Sequence, residues 1–187
     1  MREELMIAGI GGQGILTMGQ VVCVAAMREG KNVSWYPDYS PEVRGGRSYC
    51  TVVVADGEVG SPVVGRPANL VVMHPEFVAH TVALVAPGGR VILNSSLVHE
   101  PLSRTDLHVL AVPADELGRA AGHPLAGNMA VIAAFAALTG VVSIEALREA
   151  IRETAGPRHQ HHVPVNIKAA EFGAEFARNL AAEVLAR

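Results

Sequence analysis

The spacing of apolar and polar residues predicts strands that alternate with helices up to about residue 112. The continuous apolar run from Leu5 to Ile10 is typical of a buried strand, and residues 13–29 repeat apolar side chains at helical spacing until Gly30. A second strand is predicted from Asn32 to Tyr36, and a helix from about Pro75 to Val85. Four more short apolar runs predict strands: "SYCTVVVA", "NLVVMH", "RVILN" and "LHVLAV".

From Ala114 onward the pattern becomes helical. The segment "SIEALREAIRETAG" begins with a capping Ser143 and ends at Gly156, and a long amphipathic stretch closes the sequence. Alternating strands and helices favour an α/β fold with an open, mostly parallel sheet and helices on both faces. The stretch "VVVADGEVGSPVV", with its Asp56-Gly57 turn, could add an antiparallel edge hairpin. We expect one domain over residues 1–187.

Composition narrows the classes of function. Half of the 187 residues are hydrophobic, 18% are charged and the net charge is −3, so a nucleic-acid or membrane-surface role is not expected. The opening residues lack the features of an export signal, which predicts a cytoplasmic protein. The apolar run from Leu125 to Val142 carries Asn128 and Thr139 and is better explained as a buried helix than as a membrane span.

The turn "GIGGQG" is the first candidate site. Gly9, Gly11 and Gly14 fit the dinucleotide pattern G-x-G-x-x-G between a strand and a helix. However, the predicted second strand ends in Trp35 and Tyr36 rather than in the acid that holds a ribose, and no Gly-Lys-Ser/Thr follows to make a Walker motif. Two interpretations stay open: the turn binds an anionic group, or its glycines only allow close packing.

The segment "YPDYSPEVRGGRS" is predicted to be a long loop with a role in an interface or in ligand binding. Its aromatic and guanidinium groups are of the kinds that are enriched at interfaces. They are Trp35, Tyr36, Tyr39, Arg44 and Arg47.

The remaining chemically active residues have ordinary explanations. A metal site at His159, His161 and His162 would lack acidic or thiol ligands in the adjacent sequence, so a solvated or partner-facing loop is expected. His74 is interpreted as a cap at a strand end. Cys23 and Cys50 are expected to be core residues, and two cysteines are too few for an iron–sulfur cluster of four thiolates.

Three separated motifs resemble the gamma subunit, or gamma domain, of 2-oxoacid:ferredoxin oxidoreductases. They are the Gly-Gly-Gln-Gly turn, the Pro-Glu-x-Arg-Gly-Gly loop and the Gly-Ser-Pro-Val segment after the third strand. The later segments "NMAVIAAFAALTG" and "VPVNIKAAEFGAEFA" are also similar, so the resemblance covers nearly the whole chain. The loop "YSPEVRGGRS" is more similar to the 2-oxoglutarate and branched-chain members than to the pyruvate members.

The resemblance implies an accessory subunit of an enzyme that converts a 2-oxoacid to an acyl-coenzyme A and reduces ferredoxin. It implies alpha and beta partners, with a delta subunit as a further candidate, and a complex that uses thiamine diphosphate, magnesium, iron–sulfur clusters and coenzyme A. This chain alone is expected to bind none of these, to carry no catalytic residue and no metal, and to be inactive by itself. The residues expected at the coenzyme A edge are Gly11, Gly12, Gln13, Gly14, Arg44, Gly45 and Gly46. The alternatives are a stand-alone dinucleotide-binding oxidoreductase and a pure assembly scaffold.

Overall fold

The computed structural model describes residues 1–39 and 46–185, and within them the fold is built on a mixed six-stranded sheet. The strand order is β2-β3-β1-β4-β5-β6. β1, β4, β5 and β6 are parallel, whereas β3 runs antiparallel to both β1 and β2. The strands are β1 (Arg2–Ile10), β2 (Asn32–Tyr39), β3 (Arg47–Ala55), β4 (Asn69–Val72), β5 (Arg90–Asn94) and β6 (His108–Val112).

The antiparallel edge pair is present, but the sequence placed it wrongly. It consists of β2 and β3, and the residues after the Asp56-Gly57 turn form no strand. Gly60, Pro62 and Gly65 interrupt that segment too often for a ladder of hydrogen bonds to form. Conversely, β2 continues through Pro37 to Tyr39, because it is an edge strand, where proline is tolerated.

In the part of the chain that the structure describes, six α-helices accompany the sheet, and three of them follow short 3₁₀ turns. Ser143 caps α5 as expected, since its hydroxyl accepts a hydrogen bond from the Ala146 backbone N–H. α5 ends at Thr154, and Gly156 instead begins the last 3₁₀ turn. The helices are α1 (Ile15–Arg28), α2 (Val78–Leu84), α3 (Ala114–Ala121), α4 (Gly127–Thr139), α5 (Ile144–Thr154) and α6 (Val163–Leu185). The 3₁₀ turns are Pro75–Phe77, Pro124–Ala126 and Pro157–His162.

The two faces of the sheet are covered unequally. On one face, which we call the helical face, α1, α4, α5 and α6 pack into a single apolar core. On the other, the open face, a smaller core centred on Phe77 lies under α2. At the β2 end of the open face Tyr36 is 50% exposed, and Val63 beside it is 68% exposed.

α4 is the helix at the centre of the helical face. Its side chains from Met129 to Ala136 are all buried, as expected for the Ala-rich run. Within the described ranges no single helix is both long and apolar enough to cross a membrane. The α3 region together with Pro124–Thr139 passes that test only as a pair bent by 119°.

Candidate functional site

The glycine turn lies between the end of β1 and the start of α1, at the carboxyl edge of the parallel strands. Gly12 and Gly14 have φ angles of 99° and 74°, which L side chains rarely adopt. Gly14 also faces Asn128, whose amide would collide with a Cβ at that position. α1 has neither a side-chain cap nor an acidic residue in its first turn, so its amino end carries a positive dipole that no side chain of the first turn offsets.

The Gln13 side chain ties the turn to the neighbouring strand. Its Oε1 accepts a hydrogen bond from the Ile10 backbone N–H at 3.0 Å, and its Nε2 donates to the Met73 carbonyl at 3.0 Å. β1 and β4 are the central pair of the sheet, where α/β folds with this kind of turn usually open a crevice for a ligand. Gln13 therefore lies across that crevice and fixes the shape of the turn.

The end of the arginine loop meets the glycine turn. The Gly11 backbone N–H donates to the Gly46 carbonyl at 2.8 Å, and Ile10 is paired with Arg47 in the sheet. The structure thus brings Gly46 beside Gly11, Gly12, Gln13 and Gly14, as the sequence predicted. Arg44 and Gly45 lie outside the described residues, and their roles stay predictions.

Two asparagines that were not among the predicted site residues also lie at this edge of the sheet. Asn94, at the end of β5, is 1% exposed, and its amide lies 3.5 Å from the Met73 carbonyl. Asn128, at the start of α4, donates to the Gln13 carbonyl at 3.3 Å. They line a cavity of about 50 Å³ together with Gln13 and Asp115. A polar residue that ends an apolar strand, as in "RVILN", was the available signal for Asn94.

Asp38 could have acted as a ribose-binding acid, but the sheet places it badly for that role. It lies inside β2 rather than in the loop, and β3 separates β2 from β1, which puts the two strands roughly 10 Å apart. Trp35 packs against the helical core, so the alternation of side chains sends Asp38 to the open face, away from α1. This geometry disfavours the dinucleotide-binding alternative.

The expected gathering of aromatic residues on the loop is wrong. Trp35, Tyr36 and Tyr39 belong to β2, and Trp35 and Tyr36 point to opposite faces because neighbouring strand residues alternate. Arg47 begins β3 and lies 3.8 Å from the Glu76 carboxylate. His74 caps the start of the 3₁₀ turn by accepting a hydrogen bond from the Glu76 N–H, as its position suggested.

Both cysteines are buried and free, as predicted. Burial raises the pKa of the Cys23 thiol to about 12, and burial likewise raises the pKa of Cys50 to about 12. The Cys50 thiol donates to the Ile15 carbonyl within the core. Burial and the raised pKa favour the neutral thiol and a packing role for both residues.

Four exposed histidines, His123, His159, His161 and His162, form what we call the histidine cluster. The ring centre of His162 is 3.9 Å from that of His161 and 6.2 Å from those of His123 and His159. Within residues 1–39 and 46–185 no three His, Cys, Asp or Glu side chains are arranged to hold a metal ion. The cluster borders a groove of about 380 Å³ between α1, α4, α5 and α6.

Comparison with known proteins gives a consistent result. The family model described as pyruvate ferredoxin/flavodoxin oxidoreductase matches residues 4–176. The 2-oxoglutarate synthase subunit KorC of Methanothermobacter marburgensis is 32% identical over 182 residues, which cover 94% of this chain and 96% of that protein. The ketoisovalerate oxidoreductase subunit VorA of the same organism is 38% identical over 177 residues. These 177 residues cover 94% of this chain, and the chain spans only 36% of the length of VorA.

A solved structure agrees over its full length. The gamma subunit of a keto/oxoacid ferredoxin oxidoreductase from Geobacter sulfurreducens superposes with a TM-score of 0.81 at 28% identity. The superposition covers 95% of this chain and 99% of that subunit. The mixed sheet and the long C-terminal helix are therefore shared with a protein of the same size.

Proposed function

Because this chain belongs to the pyruvate ferredoxin/flavodoxin oxidoreductase family, we propose that it acts as the gamma subunit of a 2-oxoacid:ferredoxin oxidoreductase. The complete enzyme would decarboxylate a 2-oxoacid, pass the electrons to ferredoxin and release an acyl-coenzyme A. The similarity to a 2-oxoglutarate synthase subunit and a ketoisovalerate oxidoreductase subunit supports 2-oxoglutarate or a branched-chain 2-oxoacid as substrate. Alpha and beta subunits, with or without a delta subunit, would be its partners, and the cytoplasm its location.

The redox chemistry would belong to those partner subunits. Clusters need cysteine thiolates, and the two cysteines of this chain are buried with pKa values raised to about 12. Thiamine diphosphate with magnesium would supply the decarboxylation, and iron–sulfur clusters the electron path, on other chains. Within residues 1–39 and 46–185, no group of His, Cys, Asp and Glu side chains is arranged to hold an iron–sulfur cluster or a magnesium ion.

The hydrogen bond from Gly11 to the Gly46 carbonyl is the observation that carries the proposed role of this chain. It joins the two family motifs at one edge of the sheet, next to the uncapped amino end of α1. Gly12 has open space around it, so the backbone there can approach a ligand closely. An anionic group such as a phosphate of coenzyme A fits this edge, where α1 and the Arg44 guanidinium would hold it.

Arg44 provides the test of this role. We expect Arg44→Ala to lower the rate of acyl-coenzyme A formation by the reconstituted complex at least roughly tenfold, because a forked contact to an anion is lost. Arg44→Lys keeps the charge but not the fork and should also lower the rate. The unfolding free energy of either variant should stay within about 0.5 kcal/mol of the wild type.

Arg66→Ala is the matched control, since Arg66 is exposed and precedes β4 at the opposite edge of the sheet. Its complex should work at the wild-type rate. A fully active Arg44→Ala complex would favour the pure scaffold instead. Turnover of a 2-oxoacid by the lone chain would contradict the proposed division of labour among subunits.

A further inference from the structure

A second pocket lies on the open face of the sheet. No residue of the glycine turn lines it. It has a volume of about 310 Å³ and lies over the β2–β3 pair. We call it the tyrosine pocket and define it by Tyr36, Asp38, Tyr49, Thr51, Val63 and His80. None of these residues takes part in the function proposed above.

The register of β2 and β3 places four side chains of the tyrosine pocket at neighbouring positions. Tyr36 is paired with Thr51, and Asp38 is paired with Tyr49. Paired side chains project from the same face, and diagonal neighbours across an antiparallel pair are roughly 7–8 Å apart. Two phenol rings and one carboxylate therefore border the same small area of the sheet.

Hydrogen bonds and ring contacts hold the walls of the tyrosine pocket. The Tyr49 hydroxyl lies 3.0 Å from His80 Nε2, and its ring meets the buried Phe77 ring edge to face at 5.2 Å. On the opposite wall, the Thr51 hydroxyl donates to the Pro62 carbonyl at 3.3 Å and so anchors the Gly-Ser-Pro-Val segment. The pocket is thus formed before any ligand arrives, which reduces the entropy lost on binding.

Two carboxylates, Asp38 and Glu76, and one guanidinium, Arg47, act on the Tyr49 hydroxyl at the pocket. Burial raises the pKa of the Tyr49 hydroxyl, with Arg47 opposing this shift and Glu76 and Asp38 adding to it. The Arg47 guanidinium lies 3.8 Å from the Glu76 carboxylate, so the fields of these two charges largely cancel at a ligand in the pocket. The Asp38 carboxylate is exposed. Aromatic rings beside a carboxylate suit a flat cation, which can contact a ring face and donate hydrogen bonds to the acid.

We propose that the tyrosine pocket receives an arginine side chain presented by a partner protein. The guanidinium would lie between Tyr36 and Tyr49 and donate to Asp38, while Val63 contacts the aliphatic part of the side chain. The wide opening of the pocket and the 50% and 68% exposure of Tyr36 and Val63 fit a protein surface better than a small molecule that needs enclosure.

The first experiment uses the full chain alone and does not depend on the proposed function. N-acetyl-arginine N-methylamide is titrated into the ¹⁵N-labelled protein, with the citrulline analogue, which is uncharged and has the same shape, as the control probe. We expect saturable shifts of the Tyr36, Thr51 and Val63 amide signals with the arginine probe. The citrulline probe should bind about two- to fivefold more weakly, the range for an exposed charge contact.

Two variants locate the binding. Asp38→Asn should weaken the arginine probe about two- to fivefold, and Tyr36→Ser by a similar factor. Glu175→Gln removes the same charge from an exposed position on α6 and should change nothing. Equal binding of both probes, an unaffected Asp38→Asn variant, or shifts confined to another surface would overturn the proposal.

The second experiment identifies the partner in the assembled complex and rests on the proposed function. Val63→p-benzoylphenylalanine places a photo-crosslinker on the wall of the tyrosine pocket and leaves Tyr36 and Asp38 intact. We expect a crosslink to a partner segment that contains arginine. A crosslink to a segment without a basic residue would refute the proposal. A positive probe titration in a chain that recruits no subunits would instead contradict the proposed function alone.

Discussion

The two faces of the sheet differ in what their apolar residues are used for. On the helical face, α4 and α6 approach so closely that Gly173 lies against the Ala130 backbone, and large side chains such as Phe135 and Leu147 are at most 1% exposed. The open face buries Phe77 completely but leaves Tyr36 and Val63 exposed. Burial of apolar area gives stability, whereas exposed aromatic and apolar groups are typical of surfaces that bind partners. The larger apolar core and the tyrosine pocket, for which we propose a partner, therefore lie on opposite faces of the sheet.

The contact between α4 and α6 offers the strongest test of this separation. A methyl group at Gly173 would collide with the Ala130 carbonyl, which is backbone and cannot rotate away. The two helices would have to move apart, so we expect Gly173→Ala to lower the free energy of unfolding by about 2–3 kcal/mol. Urea denaturation followed by circular dichroism measures this value.

Gly65→Ala is the matched control on the open face. Gly65 has no atom within 4 Å of an added Cβ, and its backbone angle suits alanine. Its free energy of unfolding should change by less than about 0.5 kcal/mol. Equal losses of unfolding free energy in Gly173→Ala and Gly65→Ala would contradict the difference between the two faces.

The two hydrogen bonds of the Gln13 side chain, which we call the Gln13 bridge, lie at the carboxyl edge of the sheet. Removing them should lower the free energy of unfolding by an intermediate amount. Gln13→Met keeps the length of the side chain but removes the acceptor for Ile10 and the donor for Met73. The Ile10 N–H would lose its acceptor and the Met73 carbonyl would keep only the longer contact with Asn94, which should cost about 1–3 kcal/mol of unfolding free energy. Gln20→Met, at an exposed position of α1, should be neutral.

A neutral Gln13→Met variant would show that the turn holds its shape without the bridge. A stability loss together with a larger loss of activity in the assembled complex would place Gln13 at the working edge as well. The pairing of denaturation and turnover measurements separates these outcomes.

Local patterns were sufficient for most elements of the fold. The first strand, the glycine turn and α1 follow from an apolar run, a glycine cluster and helical spacing up to Gly30, and the family resemblance read from three motifs is confirmed. The antiparallel pair was misplaced because Pro37 reads as a strand end unless the strand is known to be at the edge of the sheet. That position is a property of the whole sheet and not of the segment.

The candidate sites depended more on tertiary structure. The approach of Gly46 to Gly11 was predicted because both motifs follow strand ends, but the bridge from Gln13 to Met73 joins residues 60 positions apart. The tyrosine pocket needed the pairing of Asp38 with Tyr49, and the sequence had placed Asp38 in a loop. Side-chain alternation within the predicted strand already separates Tyr36 from Trp35, whereas Asp38 joins Tyr36 on one face only because β2 continues past Pro37.

Substitution in the histidine cluster should have the smallest effect on stability. It tests whether the outer surface of the helical face contributes to stability in a pH-dependent way. Burial, reinforced by His161, His123 and His159, lowers the pKa of His162 below its usual 6.5. The unfolded chain therefore binds more protons near pH 6, so this contribution to stability is present above pH 6.5 and is lost as the pH falls below it. Between pH 7 and 5.5 the melting temperature should fall slightly more in the wild type than in His162→Gln. The exposed His108, outside the cluster, supplies the control variant His108→Gln, which should follow the wild-type profile. If the melting temperatures of His162→Gln and the wild type depended on pH in the same way, His162 would make no pH-dependent contribution to stability.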